Sequence, residues 1–251
     1  MKKLLLSILP ILLLPATAFS QSAPPPEEEH TLIGAGIRSR PAYDGSASQT
    51  TDLIPVLSYY GKTLFARTTQ GILEGGARAE VSPGLALGVQ LAYEEGRKRR
   101  ESAFLRDRGV PDLDPGASYG VHAEWDAKLG PAPINVLGRL RQNADSDRGG
   151  QADLRLTVGV YEGHGVQAGV FTQATWANRK SNRAFYGQPG FDPQGGLLFT
   201  SLGALASYDL ARHWLLVGSV EGRRLQGDAA RSPLTERRSN TYASAGIAYR
   251  F

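Results

Sequence analysis

Leu85-Ala86-Leu87-Gly88-Val89-Gln90-Leu91-Ala92-Tyr93 sets large apolar residues at every second position, with small or polar residues between them. Successive side chains of a strand point to opposite sides of a sheet, so this period of two marks a strand with one apolar face. Tyr119-Gly120-Val121-His122-Ala123-Glu124-Trp125-Asp126-Ala127-Lys128 repeats the pattern with full charges on the second face. The same alternation returns around Ile134–Arg141, Leu154–Val160, Val166–Val170 and Trp214–Arg223. It predicts twelve strands, at 31–39, 52–60, 63–69, 71–81, 84–96, 117–128, 132–143, 151–161, 165–178, 197–209, 212–226 and 239–251. The break between the third and fourth is weak, resting on Gln70-Gly71.

The links between strands alternate in length. Gly61-Lys62, Ser82-Pro83, Leu129-Gly130-Pro131, Glu162-Gly163-His164 and Leu210-Ala211 are tight turns. Longer links lie between them at 40–51, 97–116, 144–150, 179–196 and 227–238, with one short link near Gln70. Soluble strands average about 5–6 residues, and several of these exceed ten. An even strand count, short turns on one side and long loops on the other predict an all-β fold: an antiparallel transmembrane β-barrel of about 12 strands over 31–251, with short periplasmic turns and longer extracellular loops. The charged second face then lines the lumen.

The ends of the chain agree with export to an outer membrane. Lys2-Lys3, the apolar run Leu4–Leu14 and the small residues Ala16, Ala18 and Ser20 have the layout of a cleaved signal peptide over 1–20, with cleavage after Ala18 or Ser20. The apolar run is shorter than the roughly 20 residues of a spanning helix. Pro24-Pro25-Pro26 and Glu27-Glu28-Glu29 read as a stiff periplasmic linker over 21–30. At the other end Ala245, Ile247, Tyr249 and Phe251 share one face, and Tyr249 with the terminal Phe251 resembles the signal by which outer-membrane proteins meet the barrel assembly machinery.

Composition excludes several chemistries. The 251 residues contain no cysteine, which removes disulfides, thiol nucleophiles and cysteine-bound metals. The 28 basic residues fall to 26 against 24 acidic ones once Lys2 and Lys3 leave, so the basic pI is no argument for nucleic acid. Gly116-Ala117-Ser118-Tyr119-Gly120 fits G-x-S-x-G, but a hydrolase needs that motif on a strand–turn–helix elbow, and here it opens a strand. Gly163-His164-Gly165 fits a loose dinucleotide fingerprint, again without the following helix. Of the four histidines only His122, beside Glu124, faces the lumen, where it serves as a general base or as part of a polar network. No cofactor and no metal ligand set are expected.

The candidate polar constellation is Arg78, Glu80, His122, Glu124, Asp126, Arg139, Arg141, Asp153, Arg155, Glu221 and Arg223. Both signs are present in similar numbers, as paired ladders filling a narrow lumen require. Arg97-Lys98-Arg99-Arg100 opens the third outer loop and is a candidate contact for lipopolysaccharide phosphates, with a solvated charge run as the alternative.

Gly34-Ala35-Gly36, Pro41-Ala42-Tyr43-Asp44-Gly45-Ser46, Tyr93-Glu94-Glu95-Gly96-Arg97, Phe185-Tyr186-Gly187 and Gly227-Asp228-Ala229-Ala230-Arg231-Ser232-Pro233-Leu234 follow one another toward the closing Tyr249-Arg250-Phe251. In that order the chain resembles the MipA/OmpV family of MltA-interacting outer-membrane proteins, except in the basic loop after Gly96. The resemblance implies an outer-membrane, non-enzymatic barrel that scaffolds peptidoglycan-remodelling enzymes, with a murein transglycosylase and a peptidoglycan synthase as partners. It also admits a surface adhesin or antigen. A narrow solute channel through the lumen is a further alternative.

Overall fold

The computed structural model describes residues 31–69 and 72–251. The predicted signal peptide, the linker and the link at Gln70-Gly71 lie outside the described residues. Twelve strands form: β1 Leu32–Pro41, β2 Gln49–Tyr60, β3 Leu64–Thr69, β4 Ile72–Ser82, β5 Leu85–Glu94, β6 Gly116–Leu129, β7 Ala132–Asn143, β8 Gly150–Gly163, β9 Val166–Ala177, β10 Gly196–Ala211, β11 Trp214–Leu225 and β12 Ser239–Arg250. Each pairs antiparallel with its chain neighbours, and β12 returns to β1 from Arg250 opposite Leu32 to Ala243 opposite Ser39, closing the barrel. Hydrocarbon supplies no hydrogen-bond partner, so a spanning sheet is stable only when its last strand meets its first.

The alternation in sequence becomes inside and outside. Leu53, Leu91, Leu140 and Leu202 project outward and are more than half exposed, Leu53 at 85%. Exposed aromatics ring both ends of this apolar band. Tyr93, Tyr119 and Trp176 stand toward the long loops, while Tyr59, Trp125, Tyr161, Tyr208 and Trp214 stand toward the short turns. Paired aromatic girdles mark the two membrane interfaces. Inward positions opposite close backbone are glycine: a Cβ on Gly120 would lie 1.9 Å from the Leu140 carbonyl oxygen.

At one end the strands are joined by two or three residues. The β8–β9 turn is built on His164 and Gly165, both at positive φ (53° and 74°), the geometry of a two-residue hairpin turn. Gly163-His164-Gly165 is therefore turn chemistry and cradles no phosphate. At the other end the connections apart from 70–71 are longer, and two of them contain α-helices that the period-two pattern conceals. Helix α1 (Ala103–Asp107) is capped by the Ser102 side chain, and α2 (Arg179–Tyr186) by Asn178.

One seam is incomplete. β2 pairs with β1 from Gln49 to Ser58, but meets β3 only at Ser58, Tyr59 and Tyr60. Along Gln49–Leu57 no described strand covers its other side. Pro55, which has no N–H to leave unpaired, sits in this stretch. Side chains reach past the gap instead: Arg38 and Arg40 of β1, which engage Asp52 across the complete β1–β2 ladder, also engage Glu95 beyond the end of β5.

Hydrogen exchange of the folded barrel in detergent should show alternate amides between Thr50 and Leu57 losing protection well before those of β9, which is paired on both sides. Uniform protection along β2 would mean that the seam is closed.

Candidate functional site

A belt of charged side chains crosses the middle of the lumen. Its hub is Glu74 on β4, whose side chain is fully buried. One oxygen accepts from Arg67 Nε at 2.6 Å and Thr69 Oγ1 at 3.1 Å, and the other from Arg139 Nη1 at 3.0 Å. Arg139 stands on β7, three strands round the wall from β4, so this contact ties together strands that share no ladder. Its Nε lies 3.3 Å from Asp153 on β8, which also holds Arg141 at 3.0 Å and accepts from Thr175 Oγ1 at 2.8 Å. Arg141 reaches on to Glu94 at 2.7 Å. A second crossing runs from Arg67 to Glu124 at 3.0 Å, where Asn135 also donates.

The structure divides the eleven residues of the candidate constellation. His122, Glu124, Arg139, Arg141, Asp153, Arg155 and Glu221 are buried. Arg155 lies over the Phe171 ring at 3.9 Å, and Arg223 lies over Phe199 and Tyr242 while pairing with Asp44 and Glu221. The other three sit toward the periplasmic mouth. Arg78 stacks on Tyr60 at 4.5 Å, Glu80 is exposed and accepts from the Gly84 amide, and exposed Asp126 accepts from Asn135. Arg67, Glu74, Gln90 and Glu94 belong to the network without having been singled out by pattern.

Neither enzymatic motif assembles. Ser118 Oγ donates to Glu94 at 2.6 Å, and Gly116–Gly120 runs as extended strand in β6. His122 is buried with its ring edge-on to Phe65 at 5.0 Å. No group of three or more metal-ligating side chains comes together among the described residues.

Above the belt the outer loops fold over the barrel mouth. Tyr43 in the first loop donates to the Leu234 carbonyl in the sixth at 2.8 Å, and packs with Ala42, Leu105, Val110 and Leu234. Ser232 Oγ donates to the Tyr186 carbonyl at 2.7 Å, while the Tyr186 phenol donates to the Asp44 carbonyl. The Asp44 carboxylate takes Arg223 at 2.9 Å and the Tyr242 phenol. Burial, and next the nearby acidic side chain, raise both phenols: Tyr43 beside Glu236 and Tyr186 beside Asp44. The motif residues at 41–46, 94–97, 185–187 and 227–234 thus meet in one lid.

The lid separates the four basic residues of 97–100. Arg97 is only 3% exposed and donates to the Phe185 carbonyl at 2.5 Å; burial holds its guanidinium below its ordinary pKa. Lys98 is half-buried, whereas Arg99, paired loosely with Asp112, and Arg100 face solvent. At the barrel's other end Tyr249 meets Phe251 edge to face at 4.9 Å, and Phe251 is exposed.

Removing one member of a buried ion pair strands its partner in a low-dielectric site, at a cost of about 3–5 kcal/mol. Glu74→Gln and Arg139→Gln should each lower the temperature at which the folded gel band converts to the unfolded one. The double variant should lose less than the sum of the two, because neither charge is then left alone. Strict additivity would show that the cross-lumen contact carries no coupling.

Residues 33–251 match the family model described as MltA-interacting protein MipA. No curated protein matches the sequence. Among solved structures the barrel is similar to an outer membrane channel from Pseudomonas putida, at 11% identity and a TM-score of 0.51 over 93% of this chain and 100% of that one. LpxR from Salmonella typhimurium (9% identity, TM-score 0.44) and the NanC porin (7% identity, TM-score 0.43) each align over 88% of this chain and 100% of their own. At 11% identity the likeness to the channel is one of fold. With the family model spanning nearly all the described residues, from β1 to the terminal phenylalanine, this outer-membrane barrel belongs to the family of the MltA-interacting protein MipA.

Proposed function

We propose that the protein is a non-enzymatic anchor that holds peptidoglycan-remodelling enzymes, a murein transglycosylase and a peptidoglycan synthase, against the inner side of the outer membrane. The observation that carries this reading is a lumen filled with paired charges beneath interlocked outer loops. The ion pairs among Arg67, Glu74, Arg139 and Asp153 occupy the lumen and the outer loops brace one another over the mouth, which favours work done on the surfaces of the molecule. The family's own description supplies the class of partner. The periplasmic rim of tight turns and the 21–30 linker are the segments on the side where such enzymes act. The polar belt serves to fill and brace the lumen, and Tyr249 and Phe251 serve as the signal presented to the assembly machinery.

On the outer side Lys98, Arg99 and Arg100 face lipopolysaccharide phosphates, for which arginine forks are suited. Arg97 belongs to the lid and takes no part in this contact.

The purified full-length barrel should capture a murein transglycosylase from periplasmic extract, and a form lacking residues 21–30 should lose it. Capture of no murein enzyme, together with steady single-channel conductance in a bilayer, would replace the anchor with a pore. Combined Lys98→Glu, Arg99→Glu and Arg100→Glu should weaken lipopolysaccharide association several-fold without altering the folded gel band, while Arg97→Glu should disturb the lid itself. Unchanged lipopolysaccharide binding by the triple variant would remove that contact.

A further inference from the structure

Between the belt and the lid lies a cavity of about 160 Å³. Arg38, Arg40, Arg97, Arg139, Arg141 and Arg223 line it, against four carboxylates, Asp44, Glu94, Glu95 and Asp153. Five of these arginines are neutralised. Arg38 and Arg40 engage Asp52 and Glu95, Arg139 and Arg141 engage Asp153, and Arg223 engages Asp44. Arg97 differs: among the described residues no carboxylate lies within ion-pair distance of it, although it is 3% exposed. Its Nη1 is taken by the Phe185 carbonyl, and its Nε has no hydrogen-bond partner among them. Nε and the adjacent Nη2 form the edge with which a guanidinium grips a carboxylate through two parallel bonds. A buried charge is stable when paired, so this edge calls for an anion.

The rest of the lining sets the body of that anion. Tyr43, Phe185, Tyr186, Leu198 and Phe199 also line the cavity, an apolar surface beside the arginine. An engineered apolar cavity of about 150 Å³ accommodates benzene. The available volume therefore suits one small ring or a short branched chain. We propose that this cavity binds a small organic monocarboxylate, with Arg97 holding the carboxylate and the aromatic residues of the lid enclosing the apolar body. The site lies within the closed barrel and goes beyond the anchoring role: it gives the lid an occupant whose binding steadies the loops that enclose it.

The test uses the full-length folded barrel in detergent, its fold checked by heat-modifiable gel mobility. Binding is followed by titration calorimetry with benzoate, the neutral isostere benzamide and inorganic phosphate as probes. Benzoate should bind, benzamide should bind at least tenfold more weakly, and phosphate should not compete. Arg97→Lys, which keeps the charge but loses the fork, should weaken benzoate several-fold, and Arg97→Gln should abolish it. Leu198→Phe fills the cavity from another wall without touching the guanidinium and should also weaken benzoate, which keeps the test valid if Arg97→Gln fails to fold. Absence of benzoate binding by the folded wild type overturns the proposal. So does equal binding of benzamide, preference for phosphate, or full affinity in both Arg97→Lys and Leu198→Phe.

Discussion

A bilayer interior satisfies no backbone amide, and the rest of this structure follows from that refusal. The chain escapes it by bringing β12 beside β1, which joins the first and last strands of the sheet and, among the described residues, leaves unpaired edge only along the upper part of β2. Closure then dictates the side chains. Every second residue meets lipid and is apolar, and the remaining half is crowded into a narrow tube where water has little room. Glycine at 120 and the long arginines at 67, 139 and 141 are two answers to that crowding. The first removes side-chain volume, and the second fills the space with charge that finds its opposite on another strand.

Charges so deeply placed stabilise the barrel only as a set. Desolvating a guanidinium and a carboxylate is expensive, and their attraction repays it when the remaining donors and acceptors also find partners. Glu74 meets that condition with three close donors from β3 and β7. The ladder hydrogen bonds join each strand only to its neighbours. The Glu74–Arg139 contact joins strands three apart around the wall, and so resists flattening of the cylinder in a way the ladder alone does not. Where the ladder lapses, along β2, ion pairs from Arg38 and Arg40 to Glu95 again supply a tie.

The strand count, the closed barrel and the two kinds of connection were legible because the lipid face is strict: Leu85 to Tyr93 has no exception to its period of two. The lumen was only partly legible. Phe65 and Arg67 both point inward, and an apolar residue on the polar face blurs the alternation that would have marked Arg67 and its partner Glu74. Arg97 was hidden by its neighbours, since four basic residues in a row read as a single wetted patch. Its burial depends on Phe185, 88 positions along the chain. The two loop helices are too short to display a helical period, and the capping residues Ser102 and Asn178 were their sole local trace. The meeting of Tyr43, Tyr186 and Leu234 is a property of the folded loops, and no local pattern encodes it.

That meeting has a bearing on how the cell surface is perceived. Loops that are braced through one another's backbone carbonyls, as Tyr43 is to Leu234 and Ser232 to Tyr186, share a single conformation. An antibody or phage receptor-binding protein that lands on this mouth reads a discontinuous epitope assembled from segments nearly 200 residues apart, which a peptide copied from any one loop does not reproduce. Drift in one loop is likewise answerable to the others, so the face of this barrel changes as a unit or loses its shape.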